Sequence, residues 1–102
     1  MCFIHVLLNA LDMHKHGIDV KLVIEGSATA LLEEMNFEDH PLFQLYQEVK
    51  EKKLIHCVCT ACANKMETLK SSKEQNLPLC GPMKGHPSMA EYMAHGYEIL
   101  IF

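Results

Sequence analysis

The chain has few cations, and they are not clustered. Among its 102 residues, nine are lysine or arginine and 13 are aspartate or glutamate, which gives a formal charge of −4. The only dense basic run is "KEKK" at 50–53. A nucleic-acid interface needs clustered cations to neutralise phosphates. We therefore expect no nucleic-acid partner.

Long apolar runs are also absent from the sequence. No stretch approaches the roughly 20 apolar residues that a membrane span needs. The opening segment "CFIHVLLNALDM" has apolar residues at helical spacing. It lacks the basic start and the small-residue cleavage site of a signal peptide. We expect an amphipathic helix here and no membrane partner.

The five cysteines do not form the even, widely spaced set of a secreted disulfide scaffold. Three of them crowd into "HCVCTAC" at 56–62. Near-adjacent cysteines on one strand point poorly for bridging each other. The pattern favours free thiols in a reducing compartment, and a cytoplasmic location is expected.

Helical and extended patterns alternate along the chain. Apolar runs at 19–26 ("DVKLVIEG"), 54–59 ("LIHCVC"), 77–80 ("LPLC") and 97–102 ("YEILIF") predict strands, the first two buried on both faces. Such alternation predicts a parallel sheet with helices on both of its faces. We expect one α/β domain over 1–102, a three-layer α/β/α sandwich with four to five strands. A chain of this type usually begins with a strand, so we expect that an N-terminal strand is missing.

The strand-to-helix junction in "HCVCTACANKM" is the leading candidate site. The strand is predicted to end near Cys59, with Thr60 as the helix N-cap and Cys62 in the first turn. The positive end of a helix favours a thiolate, which makes Cys62 the candidate nucleophile. Cys57, inside the strand, is expected to act as a small buried hydrophobe.

Several other residues lie where a ligand would be expected in such a sheet. Ligands bind beyond the carboxyl ends of parallel strands. Glu25 lies at the exit of a predicted strand and His86 lies in a glycine-containing loop, although an ordinary solvated role fits both. A metal site would use the Cys59-x-x-Cys62 pair, with His56, Cys57, Cys80 and His86 as possible further ligands. The same pair at a helix start also allows a thioredoxin-like dithiol.

Three segments together resemble the DsrE/DsrF-like family, in its small stand-alone cytoplasmic branch. They are "HVLLNALDMHKHGIDVKLVIEGSAT", "VCTACANKM" and "LCGPMKGHPSMAEYMAHGYEILIF", which cover most of the chain. The resemblance implies a homo-oligomer, a trimer or hexamer, that carries persulfide sulfur and passes it to a partner protein. It assigns the sulfur-carrying role to Cys62 and gives Cys59 no general counterpart. Family members carry a strand ahead of the segment resembling "CFIHVLLNAL", which by analogy brings Cys2 near the site.

Three functions remain open at this point. The first is a sulfurtransferase-like carrier with Cys62 as nucleophile and Cys59 or Cys2 as a relay thiol, working with a donor or acceptor protein and no cofactor. The second is a small-ligand or metal-binding module built on Cys59 and Cys62, with Cys80 or His86. The third is a non-catalytic oligomeric subunit that joins its partner through a strand edge or helix face.

Overall fold

The computed structural model describes residues 2–102. Six helices, one 3-10 helix and three strands are formed in that part of the chain. In chain order they are α1 (Phe3–Lys15), β1 (Leu22–Ile24), the 3-10 helix (Gly26–Ala30), α2 (Leu31–Glu34), α3 (Phe43–Glu51), β2 (Ile55–Cys59), α4 (Thr60–Lys65), α5 (Leu69–Glu74), β3 (Leu79–Cys80) and α6 (Met89–Ala94).

The three strands form one parallel sheet in the order β1-β2-β3. Val58 of the central strand β2 lies opposite Ile24 on one side and Leu79 on the other. The mixed α/β class and the parallel sheet are therefore confirmed. Because all three strands run the same way, their carboxyl ends share one edge of the sheet, where Glu25, Cys59 and Cys80 lie.

Strand β1 is shorter and less buried than its sequence predicts. Only Leu22–Ile24 is extended, and of these three residues only Ile24 is buried. The prediction of burial on both faces is wrong for β1, because the strand order places it at a sheet edge. Strand β2 agrees with the prediction, since every residue except His56 is buried.

The closing segment 97–102 is not a strand in the structure. Leu100, Ile101 and Phe102 are 65%, 92% and 58% exposed. The segment is anchored at its start, where the Tyr97 hydroxyl donates to the Asp19 carboxylate. An apolar run becomes a strand only where it pairs with a neighbouring strand edge, and within residues 2–102 this run pairs with no edge.

The core lies between the helices and the sheet. Helix α1 buries Phe3, Val6, Leu7 and Ala10, which confirms the apolar stripe read from its sequence. Helices α2 and α3, the turn after α2 and the central strand contribute side chains with no exposure at all: Leu32, Met35, Tyr46, Val49 and Val58. Tyr46 keeps its hydroxyl satisfied by donating to Gln75 Oε1 at 2.6 Å.

The helices are short compared with a bilayer. The longest, α1, has 13 residues. Among residues 2–102, no helix is long and apolar enough to cross a membrane.

Candidate functional site: a thiol–imidazole cluster

Cys59 ends β2 and also begins the following helix. Its sulfur accepts a hydrogen bond from the backbone N–H of Cys62 at 3.3 Å, which makes it the N-cap of α4. N-caps are usually oxygen-bearing side chains, and here a sulfur has that role. The prediction of Thr60 as N-cap is wrong by one residue. Thr60 is the first helical residue and donates its hydroxyl to the carbonyl of Cys80 at 3.0 Å.

Cys62 lies in the first turn of α4, as predicted. It is partly exposed, whereas Cys59 is fully buried. The N–H group at this helix start points at the sulfur of Cys59. The local backbone field that sequence reasoning assigned to Cys62 therefore acts most directly on its neighbour.

A glycine-tied loop brings His86 to the two cysteines. The Gly85 carbonyl accepts the N–H of Ala61, and the Gly85 N–H donates to the Gly81 carbonyl. Both positions require glycine, because neighbouring atoms lie too close to leave room for a Cβ. A Cβ at Gly85, where φ is +91°, would lie 3.0 Å from the Cβ of Ala61, and one at Gly81 would lie 2.8 Å from the Gly85 Cα. The next residue, His86, is thereby fixed against the start of α4.

The three side chains converge on one point. His86 Nδ1 is 3.2 Å from the sulfur of Cys59 and 3.7 Å from the sulfur of Cys62. All three potential ligand atoms lie within 4.8 Å of one another. We call this group the Cys59–Cys62–His86 cluster. Cys59 is buried, Cys62 is partly exposed and His86 is exposed. The cluster is therefore open to solvent on the His86 side.

Burial raises the pKa of the Cys59 thiol above its ordinary value. The adjacent Cys62 side chain raises it further, and the backbone N–H groups of Cys62 and Ala61 partly oppose this. In the protein as described, Cys59 is therefore a protonated thiol at neutral pH. Its S–H accordingly donates to the carbonyl of Gly85 at 3.6 Å.

Cys57 and Cys80 lie outside the cluster and contact each other. They occupy neighbouring strands with Cα atoms 5.6 Å apart, and their sulfurs are in contact. Cys2, Cys59 and Cys62 are free thiols, as expected. The contact between Cys57 and Cys80 was not predicted. Cysteine spacing on one strand does not predict this contact, because it arises from the pairing of β2 with β3.

The remaining candidates are not brought into the cluster. Glu25 is exposed at the carboxyl end of β1, on the same sheet edge as Cys59, where it starts the 3-10 helix without a side-chain capping bond. Cys2 is exposed ahead of α1. Neither belongs to the group of ligand atoms that the structure assembles.

Sequence reasoning missed a second polar feature under the last helix. His56 Nδ1 lies 2.7 Å from the hydroxyl of Tyr92 in α6, which places His56 away from the cysteines. The two residues border a cavity of about 420 Å³ that Cys80 also lines, and Cys59, Cys62 and His86 do not. The alternation of side chains along β2 was the available signal, since His56 points opposite to Cys57 and Cys59.

The comparisons with known proteins identify relatives but no activity. No family model matches the chain, and no solved structure matches it. An uncharacterized protein of Archaeoglobus fulgidus is 40% identical over 37 residues, which is 36% of this chain and all of that protein. The uncharacterized protein MJ0733 of Methanocaldococcus jannaschii is 33% identical over 96 residues, covering 94% of this chain and 76% of that protein. The chain belongs to the family of MJ0733.

Proposed function

We propose that this protein carries persulfide sulfur on Cys62 and passes it to a partner protein, as the resemblance to the DsrE/DsrF-like family implies. One observation supports this most. An accessible thiol lies beside a buried thiol and an imidazole at the carboxyl end of a parallel sheet. That edge is where α/β proteins of this kind bind their ligands.

The chemistry is thiol exchange and needs no oxidant. Cys62 loses its proton to Nδ1 of His86, 3.7 Å away. The thiolate attacks the outer sulfur of a donor persulfide, R–S–SH, and a new S–S bond forms at Cys62. The S–S bond of the donor breaks, and the donor leaves as R–S⁻, which takes the proton from His86. The reverse sequence, with an acceptor thiolate attacking the sulfur held on Cys62, delivers it.

The two cysteines have different roles in this proposal. Cys62 is the nucleophile because its sulfur is reachable from solvent. Cys59 is buried, and its raised pKa keeps it protonated while sulfur is loaded. A deprotonated Cys59 would attack the Cys62 sulfur, form a Cys59–Cys62 disulfide and release HS⁻. Keeping Cys59 protonated therefore protects the bound persulfide.

The proposal includes a homo-oligomer, a trimer or hexamer, in the cytoplasm. It also includes the full three-layer sandwich, with a sheet of four to five strands. Within residues 2–102, each of the outer strands, β1 and β3, pairs with another strand on one side only. In an assembly, the segment with the exposed apolar residues Leu100, Ile101 and Phe102 could cover such a sheet edge of a neighbouring subunit.

Intact mass spectrometry tests the proposal directly. The reduced protein is incubated with a low-molecular-weight persulfide in the presence of a metal chelator and then weighed. We expect one added sulfur atom on the wild type and on Cys2→Ser, whose thiol is exposed but outside the cluster. Cys62→Ser should gain none, and Cys59→Ser should load but hold its sulfur longer.

Two results would reject sulfur transfer through this site. One is the absence of added sulfur on the wild type. The other is equal loading of the wild type and Cys62→Ser. Complete resistance of every free thiol to alkylation in the folded protein would instead favour the non-catalytic subunit.

A further inference from the structure

We propose that Cys59, Cys62 and His86 form a binding site for a thiophilic divalent cation of the zinc class, with a fourth coordination position open. This goes beyond sulfur transfer and does not depend on it. Two sulfurs and one nitrogen, drawn from a strand end, a helix start and a loop, supply the three protein ligands.

The distances between the ligand atoms fit such an ion. Zinc–sulfur bonds are about 2.3 Å and zinc–nitrogen bonds about 2.0 Å. At tetrahedral angles, a bound sulfur and nitrogen are therefore about 3.5 Å apart. The two observed sulfur-to-Nδ1 distances, 3.2 and 3.7 Å, lie on either side of that value. These two distances need to change by only a few tenths of an ångström for an ion to be bound by Nδ1 and either sulfur.

The ligand types select the class of metal. Thiolates and imidazole suit zinc and other soft or borderline cations. Calcium and magnesium prefer oxygen ligands, and no carboxylate belongs to this group. The N–H of Cys62 that reaches the Cys59 sulfur stabilises negative charge there, as hydrogen bonds to metal-bound ligands do.

The site is already assembled before an ion binds. Cys59 is fixed at the end of β2 and Cys62 in the first turn of α4. The backbone bond from Ala61 to Gly85 ties the His86 loop to the same turn. Ion binding therefore needs no large ordering of the chain, which would otherwise weaken the affinity.

The fourth position faces solvent because Cys62 is partly exposed and His86 is exposed. Three protein ligands with an open position are typical of catalytic zinc sites, whereas structural sites are closed by four. The open position is available to water or to a sulfur ligand. Since the ion and the persulfide both use the Cys62 sulfur, we expect the two to compete for it.

Cobalt(II) substitution and zinc competition test the site without any sulfur donor. Reduced, tag-free protein is titrated anaerobically with cobalt(II) while the thiolate-to-metal charge-transfer band is recorded. Zinc affinity follows from competition with a chromophoric chelator. We expect one ion per chain, bound with release of protons, because the ion binds thiolates and not thiols.

Variants separate this site from incidental binding. Cys59→Ser, Cys62→Ser and His86→Ala should each weaken zinc binding at least about 10-fold, since each removes a direct ligand. Cys2→Ser and His95→Ala remove an exposed thiol and an exposed imidazole outside the cluster, and they should bind like the wild type. Thermal unfolding of each variant verifies that it is folded.

The proposal is overturned if the wild type shows no thiolate-to-cobalt band at one equivalent. It is also overturned if folded His86→Ala and His95→Ala bind zinc equally well. Neither outcome concerns persulfide loading, which is measured with metal chelated. Failure of the metal site and failure of sulfur transfer are therefore distinguishable.

Discussion

Replacing Gly85 with alanine tests whether the loop tie positions His86. The new Cβ would lie 3.0 Å from the Cβ of Ala61, in the first turn of α4. Alanine would also be held at a φ of +91°. A left-handed conformation costs a non-glycine residue about 1–2 kcal/mol. The contact adds to that cost unless the loop moves away from α4, and such a movement would carry His86 with it.

Gly96 provides a matched control for the backbone cost. Its φ is +87°, and a Cβ there would meet nothing within 4 Å. We expect Gly85→Ala and Gly96→Ala each to lose about 1–2 kcal/mol in the free energy of unfolding, measured with urea, because of the backbone conformation. Only Gly85→Ala should also weaken zinc binding, by about 10-fold, because the His86 imidazole is displaced from the two sulfurs.

The reasoning is refuted if Gly85→Ala binds zinc as tightly as Gly96→Ala does. Equal affinity would mean that His86 reaches the cysteines without the tie between Gly85 and Ala61. If Cys62 is also alkylated at equal rates in the two variants, the reactivity of this thiol does not depend on the position of the loop.

Three further predictions concern stability. The folded state disfavours the ionised form of Cys59, because burial raises the pKa of its thiol. As pH rises above the ordinary thiol pKa of about 8.5, the free energy of unfolding of the metal-free protein should therefore fall. The fall should be less steep in Cys59→Ser, which lacks this thiol. Tyr46→Phe removes the buried hydroxyl that donates to Gln75 and should cost about 1 kcal/mol in urea unfolding, whereas Tyr92→Phe, whose hydroxyl contacts a largely exposed histidine, should cost less than about half of that. Val58→Ala opens a cavity in a fully buried position and should cost about 2–3 kcal/mol; a cost below about 1 kcal/mol would contradict the central place of β2 in the core.

Much of the candidate site follows from local sequence pattern. The apolar run before Cys59 predicts a strand, and the following residues predict a helix, so Cys62 falls in a first turn whatever the rest of the chain does. The identity of the N-cap was predicted one residue late. Helix boundaries depend on which side chain captures a free N–H, and here the sulfur of Cys59 does so.

Contacts between distant segments were less accessible to sequence reasoning. His86 was predicted as a possible further metal ligand in a glycine-containing loop, but its distance from the cysteines could not be read from spacing. The contact between Cys57 and Cys80 depends on β3 pairing with β2. Neither cysteine carries a local signal of that pairing, because strand neighbours are chosen by the packing of the whole sheet.

The sequence by itself determined the α/β class, the apolar face of α1, the buried central strand and the position of Cys62 in a helix turn. These features are local, since they arise from side-chain periodicity and from the few residues that begin or end an element. The tertiary structure alone decided that β1 is an edge strand and that segment 97–102 stays exposed. It also decided which thiols contact His86. The loop held by Gly81 and Gly85 places this imidazole beside Cys62 and Cys59, which are 24 and 27 residues away in the sequence.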